Sequence, residues 1–355
     1  MLDLTALTMN AEEASDVSKA IFITAILGGA LAEHHEIETG ITHKMQIPFI
    51  GNLDLVGVKI TGCDRTVNPA QIPLTEKFWD PELIGDRLKH CATDVNSLLK
   101  LFKKASKINP DFYDRIGTEE FGVIIAKVEQ AMVKMLNRLV WFGDKAADNV
   151  ANGGQITDGT DPKYFSILDG LFKQIFIDIP TTAPNYVAIA ENANASYATQ
   201  TDLAADRSIK VFRDMYNKMD ARFFEAMQDG AQPEFEVTRG MAQNWEDYLE
   251  EKSLAFTLAE AKEGTDRLRY RGIPIKIRHD WDSNIRSHED NGTIYNKPNR
   301  CVLTLKENIP VGTVSTEDLT SIKSWYENKD HANYIDFDLM FDTKHLLPYL
   351  TVAAY

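Results

Sequence analysis

The feature that most constrains the fold of this chain is a long apolar stripe between residues 118 and 143. Its apolar side chains recur at spacings of three and four, which is the period of one face of an α-helix. They are Phe121, Ile124, Ile125, Val128, Met132, Met135, Leu136 and Leu139. Thr118 is a typical N-cap residue, and Gly143 is a typical C-terminal cap. The pattern therefore predicts one helix, on the order of 36 Å long, on which other elements pack.

The last third of the chain has the pattern of β-strands. Its alternating or continuously apolar segments lie at 273–277, 302–305 and 335–341. A strand through 335–342 places Asp336, Asp338 and Asp342 on one wet face and turns its apolar residues toward the long helix. Helices combined with strands in this way predict an α+β fold.

Apolar spacings of three and four predict further helices on either side of the long one. These helices span 84–107, 203–228 and 241–249, and a short strand at 235–238 precedes the last of them. Cys91 falls on the apolar face of the first and is predicted to be a small core residue. Residues 10–36 also have a helical pattern, but Gly28 and Gly29 weaken its second half, which favours a mobile arm.

Two extended segments, 47–50 and 53–60, flank a Gly-Asn turn after this arm. The pattern predicts a long hairpin that stands off the body of the protein. Several of its side chains are more apolar than a free loop leaves in water, so we expect contacts with another subunit to bury them. These candidates for intersubunit contact are Ile47, Phe49, Leu53, Leu55 and Val58.

Metal-capable side chains form two clusters, neither of which has the spacing of a metal site. The densest is His34, His35 and Glu36, but adjacent residues on a helix point about 100° apart, whereas metal ligands there need spacings of three or four. The second cluster, at 279–290, has the composition of a solvated loop. Regular alternation explains the three aspartates of the last strand. The sequence therefore predicts no catalytic residue and no metal site.

Charge and motif content exclude several classes of protein. The chain has 38 Lys and Arg against 53 Asp and Glu, a net charge of −15, which argues against a surface that binds polyanions as a whole. Cys63, Cys91 and Cys301 lie too far apart for a disulfide framework or a common zinc site. A phosphate-binding glycine motif is absent, so no cofactor is predicted. The apolar run at 20–32 is too short and too interrupted to span a membrane.

Four short motifs follow one another from the end of the predicted long helix. They are WFGDKAADNV at 141–150, GGQITDG at 153–159, YF at 164–165 and LDGLFKQI at 168–175. In this order, and followed by FEVT at 235–238 and YRGIPI at 270–275, they resemble the major capsid proteins of tailed bacteriophages. They most resemble those of phages and prophages of Bacteroides-type gut bacteria.

The resemblance implies the Hong Kong 97-type capsid fold. That fold has an N-terminal arm, an extended hairpin loop, a peripheral domain built on a long spine helix, and an axial domain. On this sequence the arm covers 1–40, the hairpin loop 41–78, the peripheral domain 79–148 and 300–343, and the axial domain 149–299 and 344–355.

The resemblance further implies a structural protein, not an enzyme. Copies of the chain would self-assemble head to tail into the pentamers and hexamers of an icosahedral phage head around double-stranded DNA. Portal, scaffold and decoration proteins would be its other partners, the packaged DNA would touch it loosely, and no membrane would be involved. Assembly would occur in the cytoplasm of the bacterial host, and the final location would be the virion.

Two alternatives to the phage head stay open at the level of sequence. An encapsulin-like nanocompartment shell belongs to the same structural class. A cytoplasmic metal-dependent hydrolase belongs to a different class, and it would use His34, His35 and Glu36 or the aspartate face of the last strand.

Overall fold

A computed structural model describes residues 15, 18, 19, 22, 26, 30–47, 77–91, 119–147, 162–252, 268–315, 323–327, 329, 330 and 332–355. The α-helices in these residues are α1 (Ala30–His34), α2 (Glu119–Phe142), α3 (Leu171–Asp178), α4 (Tyr197–Thr201), α5 (Arg207–Asn217), α6 (Ala221–Gln228), α7 (Arg239–Glu251) and α8 (His279–His288). The strands are β1 (Ile37–Thr39), β2 (Met45–Gln46), β3 (Phe78–Trp79), β4 (Glu82–Cys91), β5 (Tyr186–Val187), β6 (Glu234–Val237), β7 (Arg269–Tyr270), β8 (Ile273–Ile277), β9 (Cys301–Thr304), β10 (Val311–Thr313), β11 (Lys323–Glu327), β12 (Ala332–Thr343) and β13 (Thr351–Ala354).

Helix α2 matches the helix predicted from the apolar stripe. It has 24 residues and ends immediately before Gly143, whose N–H donates to the carbonyl of Leu139 at 3.1 Å. Val128, Met132 and Leu136 are buried on the predicted face. Burial of this face stabilises the helix, and the turn at Gly143 ends it; the predicted N-cap, Thr118, lies outside the described residues.

A five-stranded sheet packs with α2. Its strand order is β1-β10-β12-β11, and β4 pairs antiparallel with the other edge of β12. The inward residues of β12 are Ile335, Phe337, Leu339 and Phe341, all buried. They belong to the same hydrophobic cluster as the apolar face of α2, which confirms the predicted orientation of this strand.

A second, six-stranded sheet has its own hydrophobic cluster. The strand order is β5-β13-β9-β6-β8-β7, and β6 and β8 run parallel. Helices α5 and α7 contribute Phe212 and Trp245 to this cluster, and Phe212 packs against both Trp245 and Phe235 of β6. The predicted strand at 235–238 and the helix after it are therefore present as β6 and α7.

Three predicted elements are wrong. The segment 84–107 was expected to be helical, but its described part belongs to β4, and Cys91 pairs with Ala332 at the end of that strand. The helix predicted over 203–228 is divided into α5 and α6, because Asp220 caps a new helix by accepting a hydrogen bond from the Arg222 N–H at 3.0 Å. The segment expected to be a solvated loop at 279–290 is mostly helix α8.

Two buried arginines connect elements around the first cluster. Arg278 donates to Glu236 at 2.6 Å, and its guanidinium lies 5.4 Å from the ring centre of Trp141 in α2. Arg300 pairs with Glu289 after α8, and its guanidinium lies 4.3 Å from the ring centre of Phe172 in α3. Charges with so little exposure need such partners, so these pairs fix how the elements pack.

Candidate intersubunit surface

The predicted hairpin begins with a short antiparallel ladder that lies on the body of the protein. Met45 pairs with Trp79 and Gln46 with Phe78, and the Ile47 N–H donates to the Lys77 carbonyl at 3.1 Å. Residues 48–76, which complete the predicted hairpin, lie outside the described part of the chain. Strands β2 and β3 are therefore the root of the hairpin.

Trp79 anchors this root to the first sheet. Its side chain is completely buried, and its indole Nε1–H donates to Glu38 Oε2 of β1 at 3.1 Å. The ring lies so close to β10 that a Cβ on Gly312 would be 2.9 Å from Trp79 Cε3. Gly312 leaves space for the Trp79 ring, and the Glu38 carboxylate accepts the hydrogen bond of its indole N–H. Together they allow the largest side chain to be buried at this position.

Ile47, one of the predicted intersubunit contacts, lies in a small cluster of its own chain. It is 3% exposed and packs in one cluster with Ile41, Trp79 and Leu346. Its apolar area is thus removed from water without a neighbouring subunit. The other candidates lie outside the described residues; they are Phe49, Leu53, Leu55 and Val58.

A second anchor of the root is polar. Lys77 Nζ donates to Asp178 Oδ2 of α3 at 3.2 Å, and His345 Nδ1 donates to the same oxygen at 2.7 Å. Burial lowers the pKa of His345 although Asp178 opposes this, so the imidazole is neutral, and its Nε2 accepts from Thr351 Oγ1 at 3.0 Å. The pKa of Asp178 is lowered: burial raises it, but the hydrogen bonds from His345 and Lys77 outweigh that effect.

The three aspartates of β12 do not share the wet face that the sequence predicts. Asp342 is 2% exposed because the turn before β4 covers it, and its Oδ2 accepts from the Asp80 N–H at 2.7 Å and from Lys344 at 3.0 Å. Burial raises its pKa, although these partners act against the shift. Asp336 instead pairs with Arg87 of β4 at 2.8 Å, and Asp338 is half-buried. Asp336 and Asp342 therefore have separate structural partners.

Exposed apolar side chains lie on the elements around the root of the hairpin. Phe78 is 44% exposed, Leu83 is 64% exposed and Ile177 is 68% exposed. The Lys77–Asp178 contact joins the segments that carry Phe78 and Ile177. The sequence pattern did not point to these three residues. Phe78 and Leu83 each precede a buried apolar residue, Trp79 and Ile84, and on a strand such neighbours lie on opposite faces.

The whole chain was compared with known proteins. No protein-family model matches it, and no curated protein matches it. Among solved structures, a chain of "Satellite phage P4 procapsid including size determination (Sid) protein" matches with a TM-score of 0.52 at 11% identity, over 98% of this chain and 90% of that one. The chain has a phage capsid fold of the Hong Kong 97 type.

Two further solved structures match with lower TM-scores. A chain of the Gordonia phage Cozz structure aligns with 91% of this chain and 84% of its own length, at a TM-score of 0.48 and 11% identity. A chain of the virus-like particle from Pyrococcus furiosus aligns with 98% of this chain and 97% of its own length, at a TM-score of 0.43 and 10% identity.

In this capsid fold His34, at the end of α1, and His35, directly after it, lie in packed surroundings. His35 is 2% exposed, its Nδ1 donates to the Ile309 carbonyl at 2.9 Å, and its ring packs on Trp141 with centroids 5.6 Å apart. His34 Nδ1 lies 3.9 Å from Glu234 Oε2. Burial, with the positive charges of Arg278 and nearby lysines, lowers the pKa of His34 to about 3. Among the residues that the structure describes, no group of three potential metal ligands is present.

The capsid fold also accounts for the acidic residues around helix α8. Asp280 accepts from Arg278 at 3.0 Å, Glu289 pairs with Arg300, and Asp282 accepts from the Arg239 N–H at 2.9 Å. Each carboxylate therefore has its own partner. In the described ranges, no helix has both the length and the apolar character that a membrane span requires.

Proposed function

We propose that this chain is the major capsid protein of a tailed phage, and that its copies form the pentamers and hexamers of an icosahedral head around double-stranded DNA. The observation that carries the proposal is the match to a chain of a procapsid over 98% of this sequence. A fold similarity of that extent leaves little of the chain for a separate catalytic domain. The motif order at 141–175 supports a phage of Bacteroides-type gut bacteria as its source.

We assign the two sheets to the two capsid domains. The five-stranded sheet and α2 form the peripheral domain, and the six-stranded sheet forms the axial domain. Because β9 pairs with β6 and β13 of the six-stranded sheet, we move the second boundary from residue 300 to residue 305. The arm at 1–40 and the hairpin loop at 41–78 keep their predicted limits.

The anchored root suits a hairpin that grips a neighbouring subunit. Trp79 and the Lys77–Asp178–His345 contacts hold the two strands at a fixed position on the body. A rigid root lowers the entropy that the hairpin loses when it binds. Gripping elements also raise the effective concentration of a neighbour, so many weak contacts together stabilise a shell.

The charge of the chain fits a shell wall around packaged DNA. A net charge of −15 repels the genome, so the contact with DNA stays loose during packing and ejection. Portal, scaffold and decoration proteins are the further partners we propose, with assembly in the host cytoplasm and the virion as the final location.

Deletion of the hairpin beyond its root tests the proposal. The structure defines the cut: replacing residues 48–76 with a short Gly-Ser linker keeps Ile47, Lys77 and the ladder between them. We expect a folded monomer with the wild-type unfolding midpoint that forms no shells in electron microscopy. A variant with Phe49, Leu53, Leu55 and Val58 all changed to Ser keeps the length of the hairpin and should also fail to assemble.

Two outcomes would contradict the proposal. Wild-type protein that stays monomeric at high concentration would exclude a self-assembling shell. Normal shells from both hairpin variants would exclude the hairpin as the gripping element.

A further inference from the structure

The charges on helix α7 are placed against its own dipole. Arg239 is the first residue of the helix, and Glu246, Asp247 and Glu250 lie in its second half. A helix favours acidic side chains near its N-terminus and basic ones near its C-terminus, which is the opposite arrangement. Within the described residues, none of these four side chains forms an ion pair. The stability of the helix therefore does not explain the pattern.

The charged residues share the outer face of α7. The inner face packs in the second hydrophobic cluster through Met241, Ala242, Trp245 and Leu249. Arg239, Gln243, Asp247 and Glu250 follow one another at spacings of four, four and three, so they form one stripe on the other side. This stripe is basic at one end and acidic at the other, about 17 Å away at 1.5 Å per residue.

A cleft of about 360 Å³ lies at the basic end of the stripe. Arg239 and Arg286 line it, both are exposed, and neither forms an ion pair with a described residue. The only acidic side chain in its lining is Asp282, which is already used as the acceptor for the Arg239 N–H. Burial raises the pKa of Asp282. The cleft thus contains two guanidinium groups and one carboxylate, that of Asp282. Its net charge is positive, which favours binding of a carboxylate ligand.

The acidic end of the stripe has an excess of like charges. Burial, together with repulsion from Asp247 and Glu250, raises the pKa of Glu246. Glu246 and Glu250 stand four residues apart on the helix, where like charges destabilise it. The nearby Lys252 pairs with Glu251 at 3.2 Å, so it does not neutralise the other three.

We infer that the acidic end of α7 in one copy docks in the arginine cleft of the next copy. Each chain carries both halves of the contact on one face, and the halves are complementary in charge. When each copy offers its acidic end to one neighbour and its cleft to the other, the contact joins copies head to tail and repeats around a ring, which is heterologous association. The inference rests on the proposed function, because it supplies the contact that would close the rings of the shell.

Glu250→Lys separates the stability of the monomer from assembly. The new lysine completes a Glu246–Lys pair at four residues' spacing and agrees with the helix dipole, so the unfolding midpoint should equal or exceed that of wild type. In assembly, a lysine would face the arginine cleft. We expect the protein concentration needed for shells, measured by light scattering, to rise roughly tenfold or more. Glu225→Lys on α6 makes the same charge change on an exposed position away from the stripe and should assemble like wild type.

A charge exchange tests the contact itself. Arg239→Glu alone should also fail to assemble, while its circular dichroism spectrum stays that of the folded protein. Mixed with Glu250→Lys, it should recover association, because each variant then meets its complement. Alternating copies close rings of six but not of five, so native mass spectrometry should show hexamers without pentamers.

The controls distinguish failure of this inference from failure of the proposed function. If wild-type protein does not assemble, the proposed function is wrong. If wild-type protein assembles and both single variants assemble equally well, the α7 contact is wrong and the shell proposal stands. Loss of assembly in the Glu225→Lys control to the same degree would also contradict the α7 contact, since any added positive charge would then suffice. Should Glu250→Lys fail to fold, Arg239→Glu decides the question.

Discussion

At the scale of single residues, the two buried arginines have specific compensation for their charge. Arg300 is 1% exposed, and beyond its pair with Glu289 it donates to the carbonyls of Lys297 at 2.9 Å and Asn296 at 2.8 Å. Arg278 is held by Glu236 and Asp280. His34 differs from these arginines, because it lies among positive charges and the Glu234 carboxylate is 3.9 Å from its Nδ1. A proton on His34 is therefore costly in the folded protein.

This cost predicts acid sensitivity that depends on His34. Its pKa in the folded protein, about 3, lies below the ordinary value of 6.5, so the unfolded chain takes up a proton that the folded one does not. Stability therefore falls as the pH falls from about 6.5 toward 3. Relative to His34→Gln, the wild-type free energy of unfolding should drop by about 2 kcal/mol between pH 7 and pH 5 in urea titrations. His43→Gln, at an exposed histidine, should keep the wild-type slope; equal slopes for all three proteins would contradict the prediction.

Neighbouring residues in β3 should separate stability from assembly. Trp79→Ala removes a fully buried ring and should lower the free energy of unfolding by about 3–5 kcal/mol in guanidinium titrations. Phe78→Ala, at a side chain that is 44% exposed, should change it by no more than about 0.5 kcal/mol. In the same preparations Phe78→Ala should reduce shell yield, because we expect this exposed ring to contact a neighbouring subunit. A stability loss at Phe78 as large as at Trp79 would mean that both residues belong to the core.

At the scale of elements, the sequence predicted correctly the helices and strands whose apolar spacing fits only one type of secondary structure. Helix α2 has an apolar stripe over many turns, which no strand reproduces, and β12 alternates with equal clarity over residues 335–342. In contrast, Ile84 and Leu88 are spaced four apart, which fits a helix face and one side of a strand equally well. The hydrogen-bonded ladder of ten residue pairs with β12 stabilises this segment as a strand. Pairing with a segment some 250 positions away is not visible in local spacing.

The candidate site was predictable only in part for the same reason. Alternation correctly places Asp342 on the side of β12 opposite its apolar residues, but the turn at Asp80 covers that side at its end. Ile47 was correctly identified as too apolar for water, yet its cover is Trp79 of the same chain. Sequence pattern identifies which side chains need burial. Which segment buries them depends on tertiary contacts.

The turn after α2 should depend on two glycines for space. A Cβ on Gly143 would lie 2.6 Å from the Leu139 oxygen and 2.7 Å from the Leu168 oxygen, and a Cβ on Gly170 would lie 2.6 Å from the Gly143 nitrogen. Backbone atoms cannot move aside as a side chain can. Each change to Ala should therefore lower the free energy of unfolding by about 1–3 kcal/mol. Because both act on one contact, the double variant should lose less than the sum, as measured in a double-mutant cycle; full additivity would contradict a shared contact.

At the scale of the whole molecule, two hydrophobic clusters are complete within one chain. The first joins α2, α3 and α8 to the five-stranded sheet, and the second lies between the six-stranded sheet and helices α5 and α7. A chain that buries both cores alone can fold before it meets a neighbour. Motif order pointed to this architecture, and the fold match at 11% identity agrees with it. In the proposed shell, assembly would then depend on surface contacts, for which we propose the hairpin and the stripe on α7.

The acidic balance of the whole chain leads to a prediction about nucleic acid. Protein–DNA affinity at physiological salt comes largely from phosphates that lysine and arginine neutralise, and this chain carries a net charge of −15. We expect the purified protein to bind a labelled 30-base-pair duplex no tighter than roughly 10⁻⁴ M in fluorescence anisotropy at 150 mM salt. Lowering the salt should add little affinity, because few counterions are released when few phosphates are contacted. Binding at about 10⁻⁶ M with a steep salt dependence would instead indicate a local basic patch, and would contradict a wall along which the genome slides.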